Sequence, residues 1–269
     1  MKKEVKFMRK IGISTNVIGK ETSMAEGYRM VKEAGFDSVF FLYDKEDNTR
    51  SHLMEARIAG LEVETLHAPW DGINNIWLPG KEGDLVIDKF IKCVEFCADQ
   101  GVPIAVVHLS SGEKAPHITD IGHARLDRLI SRAGELGVKL AFENQRKLAN
   151  IAFVFELYGH MPHVGFCWDC GHESCFTLGK RDYMALFGEM VCCLHIHDNS
   201  GAFNADHHMI PFDAAIDFGV VADKIRRSAY TGSVMLELKR EAYPELSLKD
   251  FLDRAANAAR RLRTMVDGE

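Results

Sequence analysis

The 269-residue sequence has no apolar run near the roughly 18 residues that a membrane span requires. Its start, MKKEVKFMRKIG, carries basic residues but no apolar core of signal-peptide length. Its seven cysteines are an odd number, which is more typical of free thiols than of a disulfide framework. We therefore expect a cytoplasmic, reducing location and no membrane partner.

The sequence also has no excess of basic residues. It contains 33 lysines and arginines and 39 aspartates and glutamates, which give a net charge of −6. This balance argues against a large phosphate-backbone partner, so we expect no binding to nucleic acid. Linkers, low-complexity segments and blocks of like charge are absent as well. The sequence therefore predicts one domain over residues 1–269, a length that suits a single α/β barrel.

Short β-branched or apolar runs alternate along the chain with longer segments of helical period. In one of these helical segments, Asp84–Gln100, the pattern predicts a buried stripe of Leu85, Phe90, Val94 and Cys97. No G-x-G-x-x-G follows the first strand, which disfavours a doubly wound nucleotide-binding sheet. Eight alternating units predict an α/β fold, a single (β/α)₈ TIM barrel. The strand candidates are Ile11–Ser14, Ser38–Leu42, Val63–Leu66, Ile104–His108, Lys139–Glu143, Val164–Trp168, Cys192–His197 and Ser233–Leu238.

Chemistry in such a barrel takes place at the carboxyl ends of the strands. The third to eighth strands all end in residue types that bind metals: His67, His108, Glu143, Asp169, His195 and Glu237. A buried glutamate after an apolar run such as LAFE or VMLE needs a cation or hydrogen-bond partners. His172, three residues after Asp169, and the Asp206-His207-His208 run extend the set. We therefore predict a divalent metal site.

Mixed carboxylate and imidazole ligands suit Zn²⁺, Mn²⁺, Co²⁺ or Fe²⁺ better than the all-oxygen sites of Ca²⁺ or Mg²⁺. A subset of three carboxylates and one histidine would favour Mn²⁺, Mg²⁺ or Co²⁺, whereas the full histidine-rich set would favour Zn²⁺. The identity of the metal stays open among Mn, Zn, Co and Mg.

The stretch GFCWDCGHESC contains Cys167-x-x-Cys170 beside Asp169. No second C-x-x-C is present to complete a zinc ribbon, and a thioredoxin-like motif would open a helix after an early strand. Because neighbours on a strand alternate faces, Cys167 shares the inward face of Asp169, one layer deeper. We therefore interpret these cysteines as packing residues.

Seven motifs, in chain order LHAPW, VVHLSSG, AFENQ, DCGH, LHIHDNSG, DHH and MLELK, resemble the xylose isomerase-like TIM barrel superfamily. That superfamily contains sugar isomerases and epimerases as well as endonuclease IV. Its epimerase branch implies a metal held by Glu143, Asp169, His195 and Glu237, and a substrate contact by His172. Glu143 and Glu237 would also act as acid and base. The resemblance thus implies a sugar or sugar-phosphate isomerase or epimerase that transfers a proton through an enediolate, in a barrel that is often a homo-oligomer.

Endonuclease IV is the first alternative, an AP endonuclease that hydrolyses phosphodiesters with a trinuclear zinc centre. The sequence has no basic-aromatic insertion to grip DNA, and His197 stands where the nuclease has a small amide, so the isomerase is favoured. A non-catalytic sugar-binding barrel is the second alternative, against which the two intact glutamates argue. Counterparts of all nine nuclease ligands are present and are possible additional metal ligands here: His67, His108, Glu143, Asp169, His172, His195, Asp206, His208 and Glu237.

Further residues around the strand ends are candidates for binding substrate. Trp77 and Phe203 are candidate pocket walls, and Lys239 with Arg240 follows strand eight, where barrels often bind phosphate; a solvated loop is the equal alternative. The epimerase arginine after strand seven is missing, and Phe212 and Ala214 replace the glycines of a Pro-Gly-x-Gly turn, so the substrate stays open. The predicted substrate contacts are His67, His108, His172, Trp70, His208 and Lys239.

Overall fold

The computed structural model describes residues 8–176 and 181–268. The first seven residues, which form part of the segment in which no signal peptide is expected, lie outside this range. Each of the eight predicted runs coincides with a strand to within two residues at either end. The strands are β1 (Ile11–Ser14), β2 (Ser38–Leu42), β3 (Glu62–His67), β4 (Ile104–Val107), β5 (Lys139–Glu143), β6 (Val164–Asp169), β7 (Val191–His195) and β8 (Val234–Leu236).

The eight strands form one parallel sheet in the order β7-β6-β5-β4-β3-β2-β1-β8. A parallel bridge between Ile196 and Leu236 links the chain after β7 to β8 and nearly closes the sheet on itself. This circular order, with a helix after every strand, confirms the predicted (β/α)₈ TIM barrel.

Helices cover the outside of the barrel. Among the described residues, none of them is both long enough and apolar enough to cross a lipid bilayer. Gly101 and Gly137 end two helices in the left-handed conformation, as predicted, with φ of 65° and 67°. The helices are α1 (Met24–Glu33), α2 (Glu46–Ile58), α3 (Lys81–Gln100), α4 (Asp120–Leu136), α5 (Leu148–Tyr158), α6 (Cys170–Cys175), α7 (Tyr183–Phe187), α8 (Phe218–Arg227) and α9 (Leu248–Asp267).

The buried stripe predicted for α3 was partly wrong. Phe90, Val94 and Cys97 are buried, but Leu85 is 54% exposed. At about 100° per residue, Leu85 lies about 140° around the helix from Phe90, whereas Val86 lies only about 40° from it. Val86 is accordingly the residue that packs into the core at this turn.

Inside the barrel, a small apolar layer lies directly beneath the strand ends. It consists of Val106, Ala141, Cys167 and Cys193, one residue from each of β4 to β7. Cys167 thus faces inward below Asp169, as predicted, and burial raises the pKa of its thiol. All seven cysteines are free thiols. The cysteines therefore serve packing and form no redox pair in this structure.

Arg125 of α4 fastens the connection between β3 and α3. It is 3% exposed, and its guanidinium donates to four backbone carbonyls of residues 75–80 and to the carboxylate of Asp84. Because Arg125→Met removes four hydrogen bonds, one of them to the buried Ile76 carbonyl, and leaves Asp84 without its buried partner, we expect it to lower the free energy of unfolding by about 3–5 kcal/mol. Urea unfolding followed by circular dichroism measures this change.

The matched control is Arg128→Met. Arg128 contacts the same Asp84 carboxylate, but it is 49% exposed. Its loss should change the free energy of unfolding by less than about 1 kcal/mol. Equal losses in the two variants would contradict the role given to Arg125.

Candidate metal centre

The predicted ligand residues meet at one mouth of the barrel. His67, Glu143, Asp169 and His195 are the last residues of β3, β5, β6 and β7, and all four are buried. Alternation along a strand brings each of these side chains to the inner face. His108 and Glu237 follow β4 and β8 directly. All six strand ends that the sequence singled out therefore lie at this mouth of the barrel.

Four of these residues form what we call the primary group: Glu143, Asp169, His195 and Glu237. Each offers one ligand atom, and the four atoms lie within 4.8 Å of one another. His195 Nδ1 is 3.1 Å from Glu143 Oε2 and 3.4 Å from Glu237 Oε2. The backbone N–H of His172 donates to Asp169 Oδ1 at 2.7 Å, which holds this carboxylate at the start of α6. The D-x-x-H spacing thus orients the Asp169 carboxylate.

The primary group suits a divalent ion. Among the described residues, Asp169 Oδ2, Glu237 Oε2 and both ring nitrogens of His195 are buried without a hydrogen-bond partner. Each buried polar atom left in this state costs about 1–3 kcal/mol. A metal ion would satisfy several of them at once, and three carboxylates with one imidazole match Mn²⁺, Mg²⁺ or Co²⁺.

The charged groups in the mouth shift one another's pKa values. Burial disfavours the charged form of His195, but the carboxylates of Glu237 and Glu143 outweigh it and raise its pKa to about 10. Burial also opposes protonation of His172, yet Asp169 and then Glu143 raise its pKa to about 10. Burial works against the Asp169 carboxylate too, but the neighbouring histidines lower its pKa to about 2. A bound metal would therefore displace protons from these imidazoles.

His67 and His108 approach Glu143 from the other side. Their Nε2 atoms lie 3.2 and 3.3 Å from Glu143 Oε2, so both share this oxygen with the primary group. The Trp70 ring stacks on His108 at 5.4 Å between centroids and meets His67 edge-on at 5.1 Å. Trp70 is 43% exposed and forms a wall beside the two histidines.

A further cluster, which we call the loop group, consists of His172, His197, Asp206 and His208, with ligand atoms again within 4.8 Å of one another. Asp206 and His208 come from the connection between β7 and α8. The prediction included three members and missed His197, which is fully buried. A signal was present: His197 lies two residues after His195, so period-two alternation would have pointed both rings to the same side.

Two amides after β5 also position the site and were missed. Gln145 Nε2 lies 3.1 Å from Glu143 Oε1, 3.2 Å from His108 Nε2 and 3.1 Å from His172 Nδ1. Asn144 bonds to both the backbone N–H and the carbonyl of Asp169, each at 2.8 Å. Their position directly after a strand end, in AFENQ, was the available signal.

Other predicted residues lie elsewhere. Trp77 is no pocket wall, because its ring is fully buried and its N–H donates to the Leu109 carbonyl. Phe203 is exposed. Lys239 is 47% exposed with Nζ 3.8 Å from Asp206 Oδ2, whereas Arg240 is paired with Glu21. Lys239 is therefore the cation of this pair that lies beside the mouth.

Phe212 replaces a glycine of the epimerase turn but keeps a glycine-like backbone, with φ of 75°. A bulky residue in this region is strained. The Phe212 ring packs 4.8 Å from Phe218, and the Arg261 guanidinium lies 3.8 Å above it. These contacts, with residues of α8 and α9, offset the strain.

Gly171 makes room for His197. A Cβ added at Gly171 would lie 1.9 Å from the buried His197 ring. We expect Gly171→Ala to lower the free energy of unfolding by about 1–3 kcal/mol, because the crowded ring must move. Thermal unfolding measures the loss. Gly188→Ala is the control, since its nearest neighbour would be 3.6 Å away, and a loss as large in Gly188→Ala would contradict this explanation.

The model of the xylose isomerase-like TIM barrel family matches residues 28–265. An uncharacterised protein of Sinorhizobium fredii, y4fM, is 33% identical over 141 residues, which cover 52% of this chain and 43% of that protein. The chain thus spans less than half the length of that relative.

Two solved structures are similar across nearly the whole chain. A D-tagatose 3-epimerase-like protein is 18% identical, with a TM-score of 0.72, over 96% of this chain and 98% of that one. D-psicose 3-epimerase, solved in the presence of D-fructose, is 15% identical, with a TM-score of 0.74, over 96% of this chain and 100% of that one. At these identities the likeness shows the fold.

Proposed function

Because the chain belongs to the xylose isomerase-like TIM barrel family, we propose that it is a divalent-metal-dependent isomerase or epimerase of a sugar or sugar phosphate. One observation carries the proposal: Glu143 and Glu237 both lie against His195 Nδ1 within the primary group. A protein that only binds a sugar needs no such pair of carboxylates. The epimerases among the similar structures support the choice of substrate class.

Glu143 and Glu237 would share the proton transfer. The bound ion supplies stabilisation of the negative charge that develops on the substrate oxygens. Glu143 and Glu237 extend from β5 and β8, which are three strands apart around the barrel. One carboxylate removes the proton from the carbon next to the carbonyl, and the other returns it after the enediolate has formed.

The remaining residues of the mouth would hold the sugar. Trp70 offers an exposed aromatic face beside His67 and His108, against which the apolar face of a sugar ring can pack. Lys239 places a positive charge beside Asp206 of the β7–α8 connection, where it would bind a phosphate or a hydroxyl of the substrate. His172 and His208 were predicted as substrate contacts, and both also belong to the loop group.

The test is proton exchange in D₂O, followed by ¹H NMR, with the Mn²⁺- or Co²⁺-loaded protein and a panel of ketoses. D-fructose, D-tagatose, D-allulose, L-ribulose and their phosphates form the panel. We expect at least one member to lose a proton signal next to its carbonyl and to yield an epimer or aldose. Removal of the metal with a chelator should stop the exchange, and adding metal back should restore it.

Glu241→Gln is the control variant, since this exposed glutamate lies in the connection after β8. It belongs neither to the primary group, nor to the loop group, nor to the cluster of His67, His108 and Glu143. It should exchange at the wild-type rate. No exchange with any ketose by the metal-loaded protein would contradict the proposal. Binding of a sugar without exchange would favour the non-catalytic barrel instead. The homo-oligomer stays a prediction, which light scattering can measure.

Phosphodiester hydrolysis is the second candidate, because the three His-carboxylate clusters include all nine residues that correspond to nuclease ligands. Its test is cleavage of a duplex that contains one abasic site, by the zinc-loaded protein. Efficient cleavage would replace the isomerase by the nuclease. We expect none, because the sequence shows no basic surface suited to a duplex.

A further inference from the structure

We propose that Arg146 binds an anionic group of the substrate, a phosphate or a carboxylate, at the end remote from the reacting carbonyl. Arg146 belongs to the connection between β5 and α5 and directly follows Gln145, which contacts Glu143 and His172. This inference rests on the proposed function and narrows its substrate class to sugar phosphates and sugar acids.

The Arg146 guanidinium lies at the rim of the mouth, one aromatic ring away from His172. The Phe176 ring stacks on the His172 imidazole at 4.5 Å between centroids, with 17° between the planes. The guanidinium carbon of Arg146 lies 3.6 Å from the centroid of the same Phe176 ring. Two groups this close to one ring cover its opposite faces, so Phe176 lies between them. Because these two stacking distances together match the length of a short sugar chain, the far end of a substrate bound beside His172 can reach the guanidinium.

The positive charge of Arg146 has no carboxylate partner among the described residues. Its Nε donates to the side-chain carbonyl of Asn204 at 3.1 Å, and neither terminal nitrogen has a hydrogen-bond acceptor there. Both terminal nitrogens remain accessible to solvent. The Glu113 carboxylate accepts a hydrogen bond from the Asn204 amide and none from Arg146. Arg146 therefore offers two unused N–H donors and an uncompensated charge.

The two cations after β8 are less suited to an anion. Arg240 is paired with Glu21, and Lys239 Nζ lies 3.8 Å from Asp206 Oδ2. A phosphate at Lys239 would lie beside the Asp206 carboxylate, and like charges repel each other. We therefore assign the anionic group to Arg146, which leaves a hydroxyl for Lys239.

The Arg146 guanidinium is also held in place by its surroundings. Phe176 supports one face of it, and Asn204 fixes its Nε. Asn204 is fixed in turn, because its backbone N–H donates to the Cys175 carbonyl at 2.8 Å. A guanidinium held in this way presents two neighbouring N–H groups, the arrangement that binds a carboxylate or phosphate through two hydrogen bonds. Arg181, whose Nη1 donates to the Arg146 carbonyl at 3.2 Å, adds a second positive charge nearby.

Isothermal titration calorimetry of the metal-loaded protein with D-fructose, D-fructose 6-phosphate and D-fructuronate tests the proposal. We expect the wild type to bind at least one of the two anionic sugars about 10–100-fold more tightly than D-fructose, the usual contribution of charge-assisted hydrogen bonds. Tighter binding of the 6-phosphate identifies the group as a phosphate, and tighter binding of fructuronate identifies it as a carboxylate. The absence of a preference for either anionic sugar would overturn the proposal.

Arg146→Gln should abolish this preference. An arginine that only fastens Phe176 and Asn204 predicts instead that the affinities for all three sugars fall together and that the preference persists. Arg260→Gln is the matched control and should keep the wild-type preference. Arg260 is also partly buried and also donates to an amide oxygen, but it lies at the opposite end of the barrel, where α1 leads into β2.

Lys239→Gln tests the competing cation. A preference that is lost in Lys239→Gln and kept in Arg146→Gln would place the anion at Lys239 and refute the assignment. The titration needs no turnover, so it fails independently of the ketose exchange assay. Exchange of neutral ketoses without any preference for anionic sugars would refute the role of Arg146 and leave the proposed function intact. A preference that depends on Arg146, without proton exchange, would support the anion site in a non-catalytic barrel.

Discussion

Glu143→Gln is expected to lower the rate of ketose proton exchange by about 10²–10⁴-fold, the usual contribution of a positioned acid or base. Glu143 Oε2 lies within 3.1–3.3 Å of His195 Nδ1, His67 Nε2 and His108 Nε2. Glutamine has nearly the same shape but cannot take up the proton, and its amide nitrogen cannot bind the ion. The measurement is loss of the exchanging ¹H signal in D₂O under saturating metal.

Glu237→Gln should cause a loss of the same order, because the reaction needs both carboxylates. Metal content by mass spectrometry, measured on the same samples, separates loss of the ion from loss of the acid or base. Glu189→Gln is the matched control, since this exposed glutamate precedes β7 at the opposite end of the barrel. Wild-type exchange in either site variant with full metal content would contradict its assignment.

The affinity for metal is expected to fall about 10-fold or more when the pH drops by one unit. Burial lowers the pKa of His195 and of His172, but nearby carboxylates outweigh it and raise both to about 10. Below that pH the metal-free protein carries a proton on each ring, and a metal ion must displace it. Each displaced proton contributes one decade of affinity per pH unit.

The direction follows from which form binds the metal. The neutral imidazole is the ligand, so affinity rises with pH until the rings lose their protons near pH 10 and then levels off. The Asp169 carboxylate, with a pKa of about 2, is ionised throughout and adds no dependence near neutrality. Isothermal titration calorimetry in two buffers of different ionisation enthalpy counts the released protons.

A half-buried histidine away from the mouth supplies the control for this experiment. His123→Gln should release the same number of protons as the wild type, because His123 lies on α4, outside the mouth. Metal binding without proton release at neutral pH would show that the metal-free rings are neutral. It would then contradict the charge balance between the histidines and carboxylates.

The strands and their ends could be predicted from the sequence because the signals are local. An apolar run such as LAFE must be buried, and alternation along it fixes which residue faces inward at its end. Gly101 and Gly137 likewise report a helix end through their own backbone freedom. Leu85 shows the limit, since one apolar residue near a stripe is not necessarily on it.

The sequence by itself determined the barrel and the residue types at its mouth, because burial, strand alternation and helix capping act over a few residues. Only the tertiary structure decided how those residues group. The loop group joins His172 from α6, His197 after β7 and two residues of a loop, and Gln145 reaches both Glu143 and His172. The distances between these side chains depend on how separate strands and a loop pack around the barrel, and no local sequence pattern encodes that packing.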